Sequence, residues 1–178
     1  MRGEVIPCPD QVRHMAKAKG TTVEQARPDE AEALTSIQTS TFDDDTARHL
    51  GKPRGGPYGY DSIAFCEALI AEGRMYAIKE DGAIIGGAFV TERDEGTISI
   101  NRLFIAPGQQ GKGHGGKALL ALEARFPDAE RFVLDTPIWA ARNQHFYESL
   151  GYRRVGESLE KEHGFMLLIY EKRRGKRR

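Results

Sequence analysis

The chain is poor in cysteine, in tryptophan and in long apolar runs, and each shortage excludes a class of protein. Its two cysteines, Cys8 and Cys66, lie far apart and form no CxxC pair. Neither a disulfide framework nor a thiolate metal cluster is expected, and a reducing cytoplasm is the expected compartment. The five histidines show no ligand spacing, so no metal is expected. No apolar run approaches the length that crosses a bilayer, which argues against a membrane partner. Residues 1–20 lack the apolar block of a signal peptide and read as an N-terminal extension. With 39% hydrophobic and 29% charged side chains in 178 residues, the composition fits one globular domain large enough to bury a core.

Net charge is also missing, because 26 basic residues balance 26 acidic ones. That balance hides an asymmetry. Residues 172–178 carry six of the basic side chains, and setting these aside leaves 20 basic against 26 acidic. An acidic body favours a cationic amine as ligand. The basic tail is expected to be a solvated end, with nucleic acid contact the less favoured reading. The domain proper is expected over residues 21–171.

Glycine is plentiful, and it concentrates where chemistry is expected. Leu103 to Ile105 reads as an apolar strand that breaks at Pro107. A glycine-rich turn follows, and a helix opens near Ala118. A strand, a glycine turn and a helix start together leave free N–H groups at a positive dipole end, which is an anion cradle. Three ligand classes compete for it. Gly111, Gly116 and Lys117 approximate a P-loop, but Ala118 replaces the hydroxyl that would hold magnesium. Gly111, Gly113 and Gly116 satisfy GxGxxG, with Asp135 at a ribose-binding distance. Both folds need more sheet after the loop than residues 118–178 supply.

The third class rests on two motifs. Gln110-x-x-Gly113-x-Gly115, preceded by Leu103-x-Ile105-x-Pro107, resembles the signature loop of the GNAT N-acetyltransferases. Asn143 to Tyr152, with Phe146-Tyr147 and Leu150-Gly151-Tyr152, is similar to that family's later N…FY…LGF/Y motif. The resemblance covers roughly residues 22–170. It implies an α/β fold of the GNAT type: a mixed, mostly antiparallel sheet with a central splay, flanked by helices.

The local patterns agree. They suggest a β-prone piece at 21–26, a helix over 29–40 and a separate short helix from Asp43 to Leu50. Next come a helix over 62–72, strands at 75–78, 83–90 and 97–105, and a helix over 116–125. A strand at 131–135 is expected to run parallel to the cradle strand. A helix over 139–150 and strands at Val155 and 165–170 complete the pattern. The paired glycines Gly86 and Gly87 suggest a bulge or a close ligand approach.

The resemblance also implies chemistry. Acetyl-CoA would be the co-substrate and an amine the acceptor, in direct transfer within a ternary complex. A small-molecule amine is the first expectation. A protein or peptide amine, or a non-catalytic coenzyme sensor, are the alternatives. Family members are often dimers, so a homodimer is an expectation by analogy. The amides of Phe104 and Ile105 would line the pantetheine arm. The segment of Gln110, Gly111, Lys112, Gly113, His114, Gly115, Gly116 and Lys117 would take the pyrophosphate. Asn143 and Phe146 would touch the coenzyme, with Phe146 mainly packing, and Tyr147 would be the general acid beside the thioester sulfur. His145 should face solvent. Tyr58, Tyr60 and Asp61, in a Gly/Pro-rich loop, either shape the acceptor pocket or pin the loop and cap the next helix. Many relatives place Glu before the L-x-V/I of the cradle strand, where this chain has Arg102. The base is therefore open among Asp61, Glu92, Asp135 and a water chain, and Arg102 is a candidate for binding an acidic group on the acceptor.

Overall fold

Turn chemistry sets the sheet order. Asp81 and Gly82 both have positive φ (48° and 82°), the conformation of a tight hairpin, and they join β2 (Met75–Glu80) to β3 (Ala83–Glu92). A second turn leads to β4 (Thr97–Ile105). β1 (Thr21–Gln25) pairs with β2 on the outer edge. Beyond β4 stand β5 (Arg131–Pro137), β7 (Phe165–Arg173) and β6 (Arg153–Glu160), so the seven-stranded order is β1-β2-β3-β4-β5-β7-β6. The computed structural model describes residues 20–94, 96–161 and 164–175. Expectations for residues 1–19, Cys8 and His14 among them, and for His163 lie outside that set.

Every ladder is antiparallel except β4–β5, which is parallel as expected. That ladder is short. It runs from Thr97–Arg131 to Ser99–Val133 and stops, while β4 continues to Ile105 and β5 to Pro137. At the point of parting, Phe89 pairs with Arg102 but Val90 with Ile100, so Asn101 is an extra residue in β4. Such a bulge bends its strand and sharpens its twist. The sheet therefore opens in a V between β4 and β5.

Two apolar layers hold the sheet. On one face α3 (His114–Ala124) and α4 (Ala141–Ser149) bury Leu119, Leu122 and Tyr147 against Ile98, Phe132 and Leu134. On the other, α1 (Ala31–Leu50) and α2 (Ile63–Ala71) bury Leu34, Cys66 and Leu69 against Met75, Phe89 and Phe104. Gly86 and Gly87 serve this packing rather than a ligand. A Cβ on Gly86 would lie 2.1 Å from the Phe104 carbonyl, and one on Gly87 2.6 Å from the Phe104 ring.

Three expectations need correction. Residues 31–50 form one helix, not two. The Thr35, Thr39 and Thr41 hydroxyls donate to carbonyls one turn back, and Asp44 pairs with Arg48, so polar residues that look like breakers are satisfied inside the helix. Gly51, in the left-handed region at φ 65°, ends it. Next, the boundary expected at residue 172 falls inside β7. Lys172 pairs with Glu123 at 2.7 Å, and Arg174 donates to the carbonyls of Glu123, Phe126 and Pro127 at the end of α3. Part of the basic run is thus folded rather than solvated. Finally, α3 starts two residues before the expected Gly116 and α4 two after Trp139, because Gly113 and Ala140 hold the turns that open them.

Glu123 also accepts from the buried hydroxyl of Tyr152 at 2.8 Å. Tyr152→Phe leaves that carboxylate oxygen short of a donor. It should lower stability by about 1–2 kcal/mol, read as a shifted urea midpoint at unchanged slope.

Candidate functional site

The site is the V and the loop at its mouth. After Ile105 the chain makes a single turn at Pro107–Gln109, then Gly111 (φ 76°) and Gly113 (φ 84°) carry it into α3. Both angles favour glycine over any L side chain. Gly113 is the residue before α3, and no side chain caps it. Among the described residues, the N–H groups from Gly111 to Gly116 meet no acceptor, and the next, Lys117, donates back to Gly113. Six consecutive free amides at a helix start form a compact positive surface. The Gln110 side chain turns inward and donates to the Ile105 carbonyl at 2.9 Å, fixing the loop's entry. Lys112 bonds Gln109 on the exposed side, and Lys117 is exposed.

His114 lends its amide to this row but not its ring. The imidazole is buried, with Nδ1 3.0 Å from the Thr21 hydroxyl and 3.3 Å from Glu80. Phe146 sets its ring beside Gly115 and Gly116, 3.4 Å from where a Cβ on Gly115 would stand. Those glycines let α4 lie against the helix start, so Phe146 packs the cradle from behind. Arg142, one turn before Phe146, reaches within 3.9 Å of the Cβ position on Gly111. Sequence reasoning missed Arg142. Its i, i+4 spacing to Phe146, a residue the resemblance places against the coenzyme, was the available signal.

On β4, Ala106 donates to Ile85, which puts the main-chain groups of every second residue, Phe104 included, on the β3 side. The expectation that the Phe104 amide lines the cleft is therefore corrected. Leu103 and Ile105 point theirs into the V, where the Ile105 carbonyl also receives Thr41 at 3.3 Å.

Across the V, α4 leans on β5 through Asn143, whose amide donates to Thr136 at 3.4 Å. Tyr147 stands one helical turn further. It belongs to a cluster with Tyr152 and Tyr170, both at 6.1 Å between ring centroids. Tyr152 donates to Glu123 and Tyr170 to Glu148. The Tyr147 hydroxyl donates to nothing among the described residues. Burial raises its pKa, and the charges of Asp135 and Asp45 add to the effect, so it stays protonated at neutral pH. Its oxygen is not among the fully buried unpartnered atoms, so the proton is open to a ligand in the cleft. Asp135 itself reaches solvent on β5, yet the protein around it pushes its carboxyl pKa up despite Arg93.

The side of the V that faces α2 is different. The Arg102 guanidinium lies over Phe65 at 5.3 Å and Phe89 at 5.8 Å and donates Nη2 to the Tyr58 carbonyl. Its Nη1 is buried without a partner, and burial lowers its pKa to about 10. Tyr58 is 76% exposed. Tyr60 and Asp61 turn the other way. The Tyr60 hydroxyl donates to Asp43 at 2.8 Å and its carbonyl accepts from Gln38, so it pins the loop to α1. Asp61 pairs with Arg54, and it is Ser62 that caps α2. Glu92 pairs with Ile98, where β4 and β5 are still joined, outside the opening. Of the acceptor-side candidates the structure thus gathers Tyr58, Arg102 and Asp135 at the V and leaves Tyr60, Asp61 and Glu92 away from it. Among the described residues no cluster of metal-ligating side chains occurs, and no helix is long and apolar enough to cross a membrane.

Comparison with known proteins gives the same frame. The model of the acetyltransferase (GNAT) family matches residues 32–152. A curated relative, the uncharacterized protein YrkN of Bacillus subtilis (strain 168), is 28% identical over 141 residues, spanning 78% of this chain and 70% of that protein. A GNAT-family acetyltransferase from Streptococcus agalactiae 2603 superposes with a TM-score of 0.74 at 19% identity, covering 88% of this chain and 96% of that one. The PaiA N-acetyltransferase of Thermoplasma acidophilum, solved with coenzyme A, gives 0.70 at 14% identity, with 86% and 99% covered. Identities this low speak for the fold.

Proposed function

This chain belongs to the acetyltransferase (GNAT) family, and from that premise we propose that it transfers an acetyl group from acetyl-CoA to the primary amine of a small molecule in a ternary complex. The observation that carries the reading is the row of six free amides from Gly111 to Gly116 at the mouth of a split sheet. That row fits a diphosphate, and the free edge of β4 beside it fits an amide-bearing arm. Coenzyme A offers both, and a relative of the same fold was solved with it.

The coenzyme supplies an activated thioester. The chain's own groups do the rest. Main-chain nitrogens of the loop hold the pyrophosphate, and the main-chain groups of Leu103 and the N–H of Ile105, whose carbonyl is taken by Gln110 and Thr41, align the pantetheine arm on the edge of β4. Tyr147 keeps its proton at neutral pH and offers it where a thiolate leaves. Asp135, with its raised pKa, is the proton acceptor that best suits an incoming ammonium, which must lose a proton before its nitrogen can attack.

Calorimetry with coenzyme A, followed by acceptor-dependent thiol release across polyamines, aminoglycosides, amino acids and peptides, tests the reading. Tight binding with no release from any acceptor would favour a sensor, and release from peptides alone a protein acetyltransferase. Arg142→Ala should weaken coenzyme A binding by about five- to tenfold at low ionic strength and less at high salt, since an exposed guanidinium near a phosphate is screened. A titration at two salt concentrations reads this.

A further inference from the structure

We propose that Arg102 is a specificity residue and that the acceptor amine carries an oxyanion, a carboxylate or phosphate, which Arg102 binds. The inference rests on the acetyl-transfer reading for its site and narrows the acceptor class.

A guanidinium withdrawn from water is normally paired with a carboxylate or fully hydrogen-bonded, because an uncompensated charge is costly to bury. Arg102 has neither. No carboxylate meets it among the described residues, and its one acceptor is the main-chain oxygen of Tyr58. Its head instead lies against the Phe65 and Phe89 rings, which meet each other at 85°, and these contacts fix its orientation without neutralising its charge. This is how a preformed anion receptor looks: positioned by apolar contacts, with donors unspent. The oxygen of Tyr58 marks the place an acceptor's oxygen can take.

Location supports the assignment. Arg102 follows the bulge at Asn101 and so lies on β4 beyond the last shared rung with β5. It touches the loop carrying Tyr58, whose side chain is exposed. Asp135 stands on the opposite strand, past the last rung that β5 shares with β4. An ammonium drawn to Asp135 and an oxyanion drawn to Arg102 describe an acceptor with both charges. The acidic surplus of the residues before the basic run would suggest a polycation, but the side chain beside Tyr58 is itself a cation, which repels polyamines.

The test compares matched probes in the presence of acetyl-CoA. β-Alanine is set against β-alaninamide, O-phosphoethanolamine against ethanolamine, and spermidine is the polycation. Thiol release should favour the anionic member of a pair by about 100-fold in kcat/KM, and which pair shows it separates carboxylate from phosphate. Arg102→Gln should erase that preference while the Kd for coenzyme A holds. Arg102→Lys should restore part of it, since a lysine keeps the charge but not the planar fork. Calorimetry of the same anions against free and coenzyme-loaded protein reads binding without turnover. Equal handling of anionic and neutral partners, preferred release from spermidine, or anion binding that survives Arg102→Gln would each overturn the proposal. Failure of coenzyme A to bind would instead sink the acetyl-transfer reading, with anion binding to the free protein still deciding the role of Arg102.

Discussion

Tyr147→Phe is expected to lower kcat for acetyl transfer by about 100-fold while the Kd for coenzyme A stays within about twofold of wild type. The substitution removes one oxygen and keeps the ring. The ring's contacts with Phe146, Tyr152 and Tyr170 survive, so the cluster behind the cleft stays packed. The hydroxyl has no protein partner among the described residues, so no buried acceptor is orphaned and stability should change little. What is lost is a proton held in place at neutral pH. Because burial and the Asp135 charge raise its pKa, the wild type should show no alkaline loss of rate from this group below about pH 10. Steady-state rates across pH, with calorimetry on both proteins, check the prediction. A Tyr147→Phe enzyme with unchanged kcat would take the phenol out of the chemistry.

The parts of this site that were legible in the sequence are those set by short-range chemistry. A proline, a run of glycines and a helix start speak for themselves, and the structure places Gly111 and Gly113 at positive φ with free amides following. The motif around Tyr147 was legible through its resemblance to the family's later motif, and helical spacing then put Asn143, Phe146 and Tyr147 on one face. Long-range register was not legible. Whether Phe104 or its neighbours face the opening depends on which residue of β3 stands opposite, and no local pattern carries that. The fate of the basic run depended on Glu123, a residue far earlier in the chain. The single helix of residues 31–50 was obscured by threonines and aspartates that look like breakers singly and are satisfied collectively. Arg102 was visible as an odd residue in a familiar place, but its isolation among rings was not.

Gly86→Ala is the substitution expected to damage the fold most. Its partner across the ladder is Ile105, the last residue before the cradle. A methyl group there would stand 2.1 Å from a main-chain oxygen of β4 and 3.0 Å from the Ile105 side chain. A side-chain tip could swing aside, but a carbonyl in a ladder cannot, so β3 and β4 must separate locally. The cost should be about 3 kcal/mol, a fall in melting temperature of about 6–12 °C for a domain of this size. Gly108→Ala is the control. It meets nothing within 4 Å and is not at positive φ, so it should leave the melting temperature within about 2 °C. The effect on function follows from geometry rather than contact. Moving the end of β4 displaces Ile105 and the loop that Gln110 ties to it, so the surviving folded fraction should also bind coenzyme A more weakly. A Gly86→Ala protein that melts with wild type would show that the strands can part without cost, and that the narrow approach of β3 to β4 does not set the opening between β4 and β5.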